Sequence, residues 1–223
     1  MRDRSSKSAS YSVDLVLMTA MGDELAILLA RNSSERERWS VPWRIPQSGE
    51  ALDGAANRAA QDALGEFPAW MEQIGAFGDG KRHPSEIDVS VAYLALVPHE
   101  TASPRAGYTW FQIADLPALS PRQRAMVEGA TQTIQSRLDQ APIAFRLLPA
   151  TFTLSELQQT YELLLGKRLH KASFRRALQA AWLVEPTDEW RSEGRGRPAQ
   201  LFRYLPKKRR RVHRGVRFDF LYP

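Results

Sequence analysis

Phe152-Thr153-Leu154-Ser155-Glu156-Leu157 is the stretch on which the reading of this 223-residue chain turns. A Thr followed three residues later by Glu is a capping box, in which the hydroxyl takes one orphan backbone N–H and the carboxylate reaches back to another. Phe152 and Leu157 are placed to form the hydrophobic staple around it, so a helix is expected to start at Thr153. Leu154, Leu157, Tyr161, Leu164 and Leu165 supply its buried stripe, and Gly166 stands where a left-handed cap would end it. Five residues later a second helix is expected from Lys171 to about Ala181. It would bury Phe174, Ala177, Leu178 and Ala181 and show Lys171, Arg175, Arg176 and Gln179 on its other side.

Two short helices joined by a tight turn make a helix-turn-helix, whose second helix is the one that enters a major groove. Beyond it, Trp182–Glu185 and Ala199–Tyr204 read as strands on either side of Ser192–Pro198, a loop with Gly194 and Gly196 for turning and Arg195 and Arg197 at its tip. That order is a winged helix. Lys171, Ser173, Arg175 and Arg176 are expected to face the major groove of duplex DNA, and Arg195 and Arg197 the flanking backbone or minor groove.

Charge is distributed to match. Residues 1–150 hold 15 Lys and Arg against 18 Asp and Glu, a net of −3, while residues 151–223 hold 16 against 7, a net of +9. A basic appendage on a mildly acidic body is the electrostatic footprint of a nucleic-acid-binding chain. The run Lys207-Lys208-Arg209-Arg210-Arg211 is a further candidate for tracking a phosphate backbone. After it, Val216, Phe218, Phe220 and Tyr222 alternate with other residues as a strand would.

The body before residue 142 has the patterning of an α/β sandwich. Tyr11–Met18 and Leu25–Ala30 read as a hairpin around Gly22-Asp23-Glu24, Val89–Val97 as a buried strand, Gly107–Phe111 as a short one, and Arg122 to about Leu138 as a closing helix. The chain contains no cysteine, which excludes disulfides and thiolate zinc sites and makes a cytoplasmic home the default. No apolar run has the length of a membrane span or a signal segment, and the four histidines have no metal-ligand spacing. No cofactor is implied.

Between the hairpin and the later strands, Pro42-Trp43-Arg44-Ile45-Pro46-Gln47-Ser48-Gly49-Glu50 and Ala55–Gly65 keep the distances of the Nudix box, G-x5-E-x7-R-E-U-x-E-E-x-G. Glu50, Arg58 and Gly65 match it, but Arg44 replaces the first Gly, and Ala59, Asp62 and Ala63 replace three Glu. Magnesium needs one or two carboxylates beside the substrate phosphates. Asp62, the residual metal candidate, and Glu50 would just meet that minimum, so the alternative of a magnesium-dependent hydrolase of nucleoside diphosphate derivatives stays beside the reading of a catalytically retired domain.

Along nearly its whole length the chain resembles the Nudix-related transcriptional regulators called NrtR. The resemblance is carried by Val13–Leu17, Leu28–Arg31, the degenerate box, Val91–Val97, Pro142–Pro149, Phe152–Gln158, Tyr161-Glu162, Phe174-Arg175-Arg176 and Gly196–Ala199. It implies an α+β chain: a Nudix-like α/β/α sandwich followed by a winged helix. The expected limits are a disordered N-terminus over 1–10, an effector and dimerisation domain over 11–141, a DNA-binding domain over 142–205 and a basic tail over 206–223. It further implies a homodimer on a palindromic operator, repression of genes of NAD or nucleotide-sugar metabolism, and ADP-ribose or a related nucleotide as effector. Arg31, Glu50, Arg58 and Arg82 fall at positions the family uses in its cleft; Arg58 is either part of the effector grip or an internal salt-bridge partner. Arg44 is a further candidate for the effector's phosphates, because a guanidinium donates two parallel hydrogen bonds. The chain departs from the family where Trp43-Arg44 replaces two glycines, Arg82-His83-Pro84-Ser85 replaces R-D-P-R, and Ser120–Gln123 replaces an F-D-H stretch.

Overall fold

The apolar run from Tyr11 becomes β1 (Tyr11–Met21), the central strand of a seven-stranded sheet in a computed structural model that describes residues 10–33, 38–78, 87–100, 102–138, 142–192 and 198–206. Every residue from Ser12 to Thr19 is buried. A strand covered on both faces has no solvent side to alternate with, which is why its polar and apolar residues follow no strict period. The hairpin partner is β2 (Glu24–Arg31), and the turn between them uses Gly22 at φ +68°. Two-residue strands follow, β3 (Trp39–Ser40) on β2 and β4 (Trp43–Arg44) on β1. Helix α1 (Leu52–Leu64) comes next, then β5 (Met71–Phe77), β6 (Val89–Leu96), β7 (Tyr108–Gln112) and α2 (Pro121–Arg137). The sheet order is β3-β2-β1-β6-β5, with β4 added to β1 and β7 to β2.

Strand β5 was not anticipated. Its Glu72, Gln73 and Gly75 are poor strand formers, it lies at the sheet edge, and its pairing with β6 slips between Gln73 and Gly75. Ser10, assigned from sequence to a disordered N-terminus, is tied down instead. Its N–H and hydroxyl donate to Asp88 Oδ2 at 2.8 and 2.9 Å, and its carbonyl accepts from the N–H of Asp88 and of Val89.

The C-terminal elements are a 3-10 turn over Ile143–Leu147, β8 (Thr151–Thr153), α3 (Leu154–Leu165), α4 (Lys171–Ala181), β9 (Val184–Arg191) and β10 (Ala199–Tyr204). β8 and β9 both pair antiparallel with β10, so the winged sheet has three strands. The extra strand was hidden because its last residue, Thr153, doubles as the cap of α3. Trp182, expected to begin a strand, instead closes α4 in the left-handed conformation at φ 53°, and β9 starts two residues later. Ala181 is only half-buried. Phe145 from the 3-10 turn centres an aromatic core, with ring centroids 5.6 Å from Phe152, 6.5 Å from Tyr161 and 4.7 Å from Tyr204; Tyr161 in turn meets Phe174 edge-on at 5.5 Å.

By internal contacts the chain forms two compact units. The first comprises the described residues of Met1–Met18, Ile27–Ala95 and Pro104–Ala130, and the second those of Thr19–Ala26, Leu96–Ser103 and Thr131–Pro223. No helix among the described residues is long and apolar enough to cross a membrane.

Candidate nucleic-acid interface and the remnant Nudix cleft

Helix α3 is built as its sequence dictates. Thr153 Oγ1 accepts the N–H of Glu156 at 3.1 Å, Glu156 Oε2 accepts the N–H of Thr153 at 2.6 Å, and Phe152 and Leu157 are both buried. Glu156 has a second duty that the spacing alone did not disclose. Its Oε1 accepts Arg191 Nη1 at 2.5 Å, which binds the end of β9 to the start of α3.

Glu162 performs a similar task at the turn. Its Oε1 accepts Gln158 Nε2 at 2.8 Å and the N–H of Leu169 at 2.9 Å, and its Oε2 accepts Arg168 Nη1 at 3.0 Å. Burial pushes this carboxyl up, but the bonds from Gln158, Leu169 and Arg168 together outweigh it and hold the group below the ordinary carboxylate range. Gly166 caps α3 at φ +64°, and the chain reaches α4 through this clamped turn. Glu162 was noted in the sequence only as part of a resemblance; a carboxylate one turn before a helix-ending Gly was the available signal.

Helix α4 opens at His170, whose ring Nδ1 lies 3.2 Å from Ser173 Oγ. Phe174, Ala177 and Leu178 are buried, while Lys171, Arg175, Arg176 and Gln179 are exposed. Ser173 is half-buried, its hydroxyl also 3.5 Å from Arg176 Nη2. Six cations of the winged helix fall into two sets. Arg168, Arg191 and Arg203 are bound to Glu162, Glu156 and Glu185, whereas among the described residues Lys171, Arg175 and Arg176 join no ion pair. The first set holds the scaffold together, and the second leaves its charge available on the exposed face of one helix. Arg195 and Arg197 of the wing lie outside the described residues, as do the runs at 207–211 and 216–222.

In the Nudix-like part, the structure brings four of the sequence candidates together as two ion pairs. Arg58 Nε and Nη2 donate to Glu50 Oε1 and Oε2 at 3.1 and 2.7 Å, and Arg58 Nη2 also reaches Ile45 O at 3.1 Å. The N–H of Gln47 adds a bond to Glu50 Oε2 at 2.7 Å. The Arg58 guanidinium and that N–H hold the Glu50 carboxyl below its ordinary value, and the Glu50 carboxylate in turn raises Arg58. Arg58 is thus seen in the salt-bridge role. Arg44 Nε and Nη2 both donate to Asp62 Oδ2, at 2.8 and 2.5 Å, and Arg44 Nη1 donates to Trp43 O at 2.7 Å. Gly65 keeps its place in the box for a backbone reason: it caps α1 at φ +84°, and a Cβ there would come within 2.9 Å of Arg105 Nη2.

Arg31 lies exposed at the end of β2 and joins neither pair among the described residues. Opposite it in register is Trp39, whose ring meets Phe111 edge-on at 4.8 Å, an aromatic pair the sequence did not flag. Arg82 lies outside the described residues. Arg122, where the family's F-D-H stretch would be, is fully buried and donates to Ile87 O at 2.8 Å and Asp88 O at 3.2 Å, which makes it a brace of the sheet.

A Nudix-like domain followed by a three-stranded winged helix, with a cationic helix face that joins no ion pair among the described residues, defines a class: a Nudix-like fold joined to a winged helix. Residues 144–204 match the family described as the NrtR DNA-binding winged helix domain. An ADPR responsive transcriptional repressor of Acinetobacter baylyi is 27% identical over 207 residues, covering 88% of this chain and 82% of that one. The crystal structure of Shewanella oneidensis NrtR complexed with a 27mer DNA superposes with a TM-score of 0.77 at 28% identity, covering 87% of this chain and 93% of that one. The isolated Nudix domain of the same Shewanella oneidensis protein, complexed with ADP ribose, shares the fold at a TM-score of 0.50 and 22% identity, covering 60% and 94% of the two chains. Residues 144–204 thus carry the winged helix of the NrtR regulators, and over most of its length the chain is similar to NrtR-type transcriptional repressors.

Proposed function

We propose that this chain is a transcriptional repressor that grips operator DNA through α4 and the wing, and whose Nudix-like domain binds ADP-ribose or a close relative as the signal that weakens that grip. The observation that carries the reading is the sorting of cations in the winged helix. Arg168, Arg191 and Arg203 each hold a carboxylate within the scaffold, and on the exposed face of the second helix Lys171, Arg175 and Arg176 join no ion pair among the described residues. An uncompensated basic face on a recognition helix is the arrangement that meets phosphates and base edges. The repressor of Acinetobacter baylyi named above supports both the repression and the effector.

The domain is proposed to work without hydrolysis, since the two carboxylates that remain of the Nudix set, Glu50 and Asp62, are each held by an arginine. Arg31 and Arg82, with Arg44, Glu50 and Arg58, are proposed to line the effector site, and Arg195 and Arg197 to contact the DNA flank. The division into a domain over 11–141 and a DNA-binding domain over 142–205, a homodimer on a palindromic operator, a cytoplasmic location, and control of NAD or nucleotide-sugar genes complete the proposal. Selection of bound fragments from genomic DNA, repeated with ADP-ribose present, tests it. Enrichment of a palindromic sequence that ADP-ribose diminishes is expected; retention of no duplex at low salt would remove the reading.

A further inference from the structure

The divalent metal of the Nudix fold does not fit the residues this chain presents. Magnesium is held through one or two carboxylates beside waters and substrate phosphates, so those carboxylates must be free to meet it. Here Ala59 and Ala63 replace two of the box carboxylates and are fully buried, and among the described residues no group of three His, Cys, Asp or Glu is placed to hold a metal ion. Glu50 and Asp62 are matched one for one by Arg58 and Arg44, so the group carries no net charge with which to attract a dication. The two departures from the box belong together. Bulky Trp43-Arg44 forms β4, which packs on α1, and alanines on that helix leave room that glutamates would fill.

We propose that the Arg44 guanidinium has taken over the place of the metal: a cation supplied by the chain neutralises Asp62 and presents its remaining donors to a diphosphate, so that ligand binding needs no divalent ion. A guanidinium has five N–H donors. Arg44 spends one at Nε and one at Nη2 on Asp62 and one at Nη1 on Trp43 O, so one N–H at each terminal nitrogen remains. The side chain is 32% exposed, so these donors are within reach of a ligand. A fixed planar fork differs from a metal in kind. It orients phosphate oxygens but cannot lower the pKa of an attacking water, which couples the loss of hydrolysis to the gain of a permanent binding charge.

The second half of the proposal rests on the nucleotide reading above; the first does not, and the experiment separates them. The full-length chain and its Arg44→Gln, Arg44→Lys and Asp62→Asn variants, each checked for cooperative unfolding, are titrated with manganese alone, followed by the free-ion paramagnetic resonance signal. The native chain and Arg44→Lys should leave the signal unchanged. Arg44→Gln, which uncovers Asp62, should bind the ion roughly tenfold or more tightly than the native chain, and adding Asp62→Asn should abolish the gain. Manganese binding by the native chain that Asp62→Asn removes, or no gain in Arg44→Gln, overturns the replacement. In parallel, ADP-ribose binding is measured by calorimetry in EDTA and in magnesium. Equal native affinity in both, with weaker binding by Arg44→Gln, is expected, whereas a requirement for magnesium or an undiminished Arg44→Gln overturns the binding role. If the native chain takes up no ADP-ribose at all, the effector assignment and the binding role fall together, while the manganese result still decides the replacement.

Discussion

Arg175 and Glu162 illustrate how two charged residues in adjacent helices serve opposite ends. Arg175 is exposed and joins no ion pair among the described residues, so its charge is available to a partner. If it forks onto a base edge, Arg175→Ala should weaken operator binding by about 1–3 kcal/mol while leaving binding to scrambled duplex nearly unchanged. Fluorescence anisotropy against both duplexes checks this, and an equal loss on the two would reassign the side chain to phosphate. Glu162, by contrast, is already engaged by Gln158, Leu169 and Arg168. Because its carboxyl titrates below the ordinary 4.5 when folded, its stabilisation is fully present above that value and is lost as pH falls through the folded pKa. The stability gap between the native chain and Glu162→Gln should therefore be widest near neutrality and close in acid, as urea unfolding followed at several pH values would show.

At the scale of elements, the caps decide where the helices of the winged domain begin and end. Loss of the hydroxyl that accepts the Glu156 N–H in Thr153→Ala should cost about 1 kcal/mol, read as a lower urea midpoint with the slope retained. The other end of the pair offers the reverse experiment. Trp182 closes α4 at φ 53° and is 69% exposed, so a bulky residue sits in a conformation that favours Gly without burying its ring. Trp182→Gly should stabilise the chain by roughly 0.5–1 kcal/mol in the same assay; a loss would mean that the indole has contacts worth more than the strain. These elements also show what was legible in the sequence. The start of α3, its Gly166 cap, the full extent of α4 and the last strand followed from local chemistry, because caps and apolar stripes act within a few residues. β5 and β8 escaped notice because pairing partners remote in sequence, rather than their own composition, make them strands. Among the site residues, the exposed cations of α4 were legible from periodicity, whereas the bonds of Arg44 to Asp62 and of Glu156 to Arg191 join positions 18 and 35 residues apart, and no local pattern announces them.

Across the whole molecule the asymmetry of charge sets how association responds to salt. A net of −3 over residues 1–150 and +9 over 151–223 concentrates positive charge in the last third of the sequence, which a polyanion attracts before the two meet. Each phosphate neutralised releases condensed counterions, and the logarithm of the binding constant falls with the logarithm of salt at a slope of about −0.9 per phosphate. Residues 207–223 contribute Lys207, Lys208, Arg209, Arg210, Arg211, Arg214 and Arg217 to the total, nearly half of the cations in the basic third. Ending the chain at residue 206 retains every described residue of the winged helix and removes these cations. If the tail follows the phosphate backbone, truncation should flatten the salt dependence by about 0.9 for every phosphate left unneutralised and weaken operator and scrambled duplex alike, since phosphates carry no sequence. Selectivity, which depends on α4, should survive. A titration series from low to moderate salt on both duplexes distinguishes this from a tail that is only solvated, for which the two slopes of the full and shortened chains would coincide.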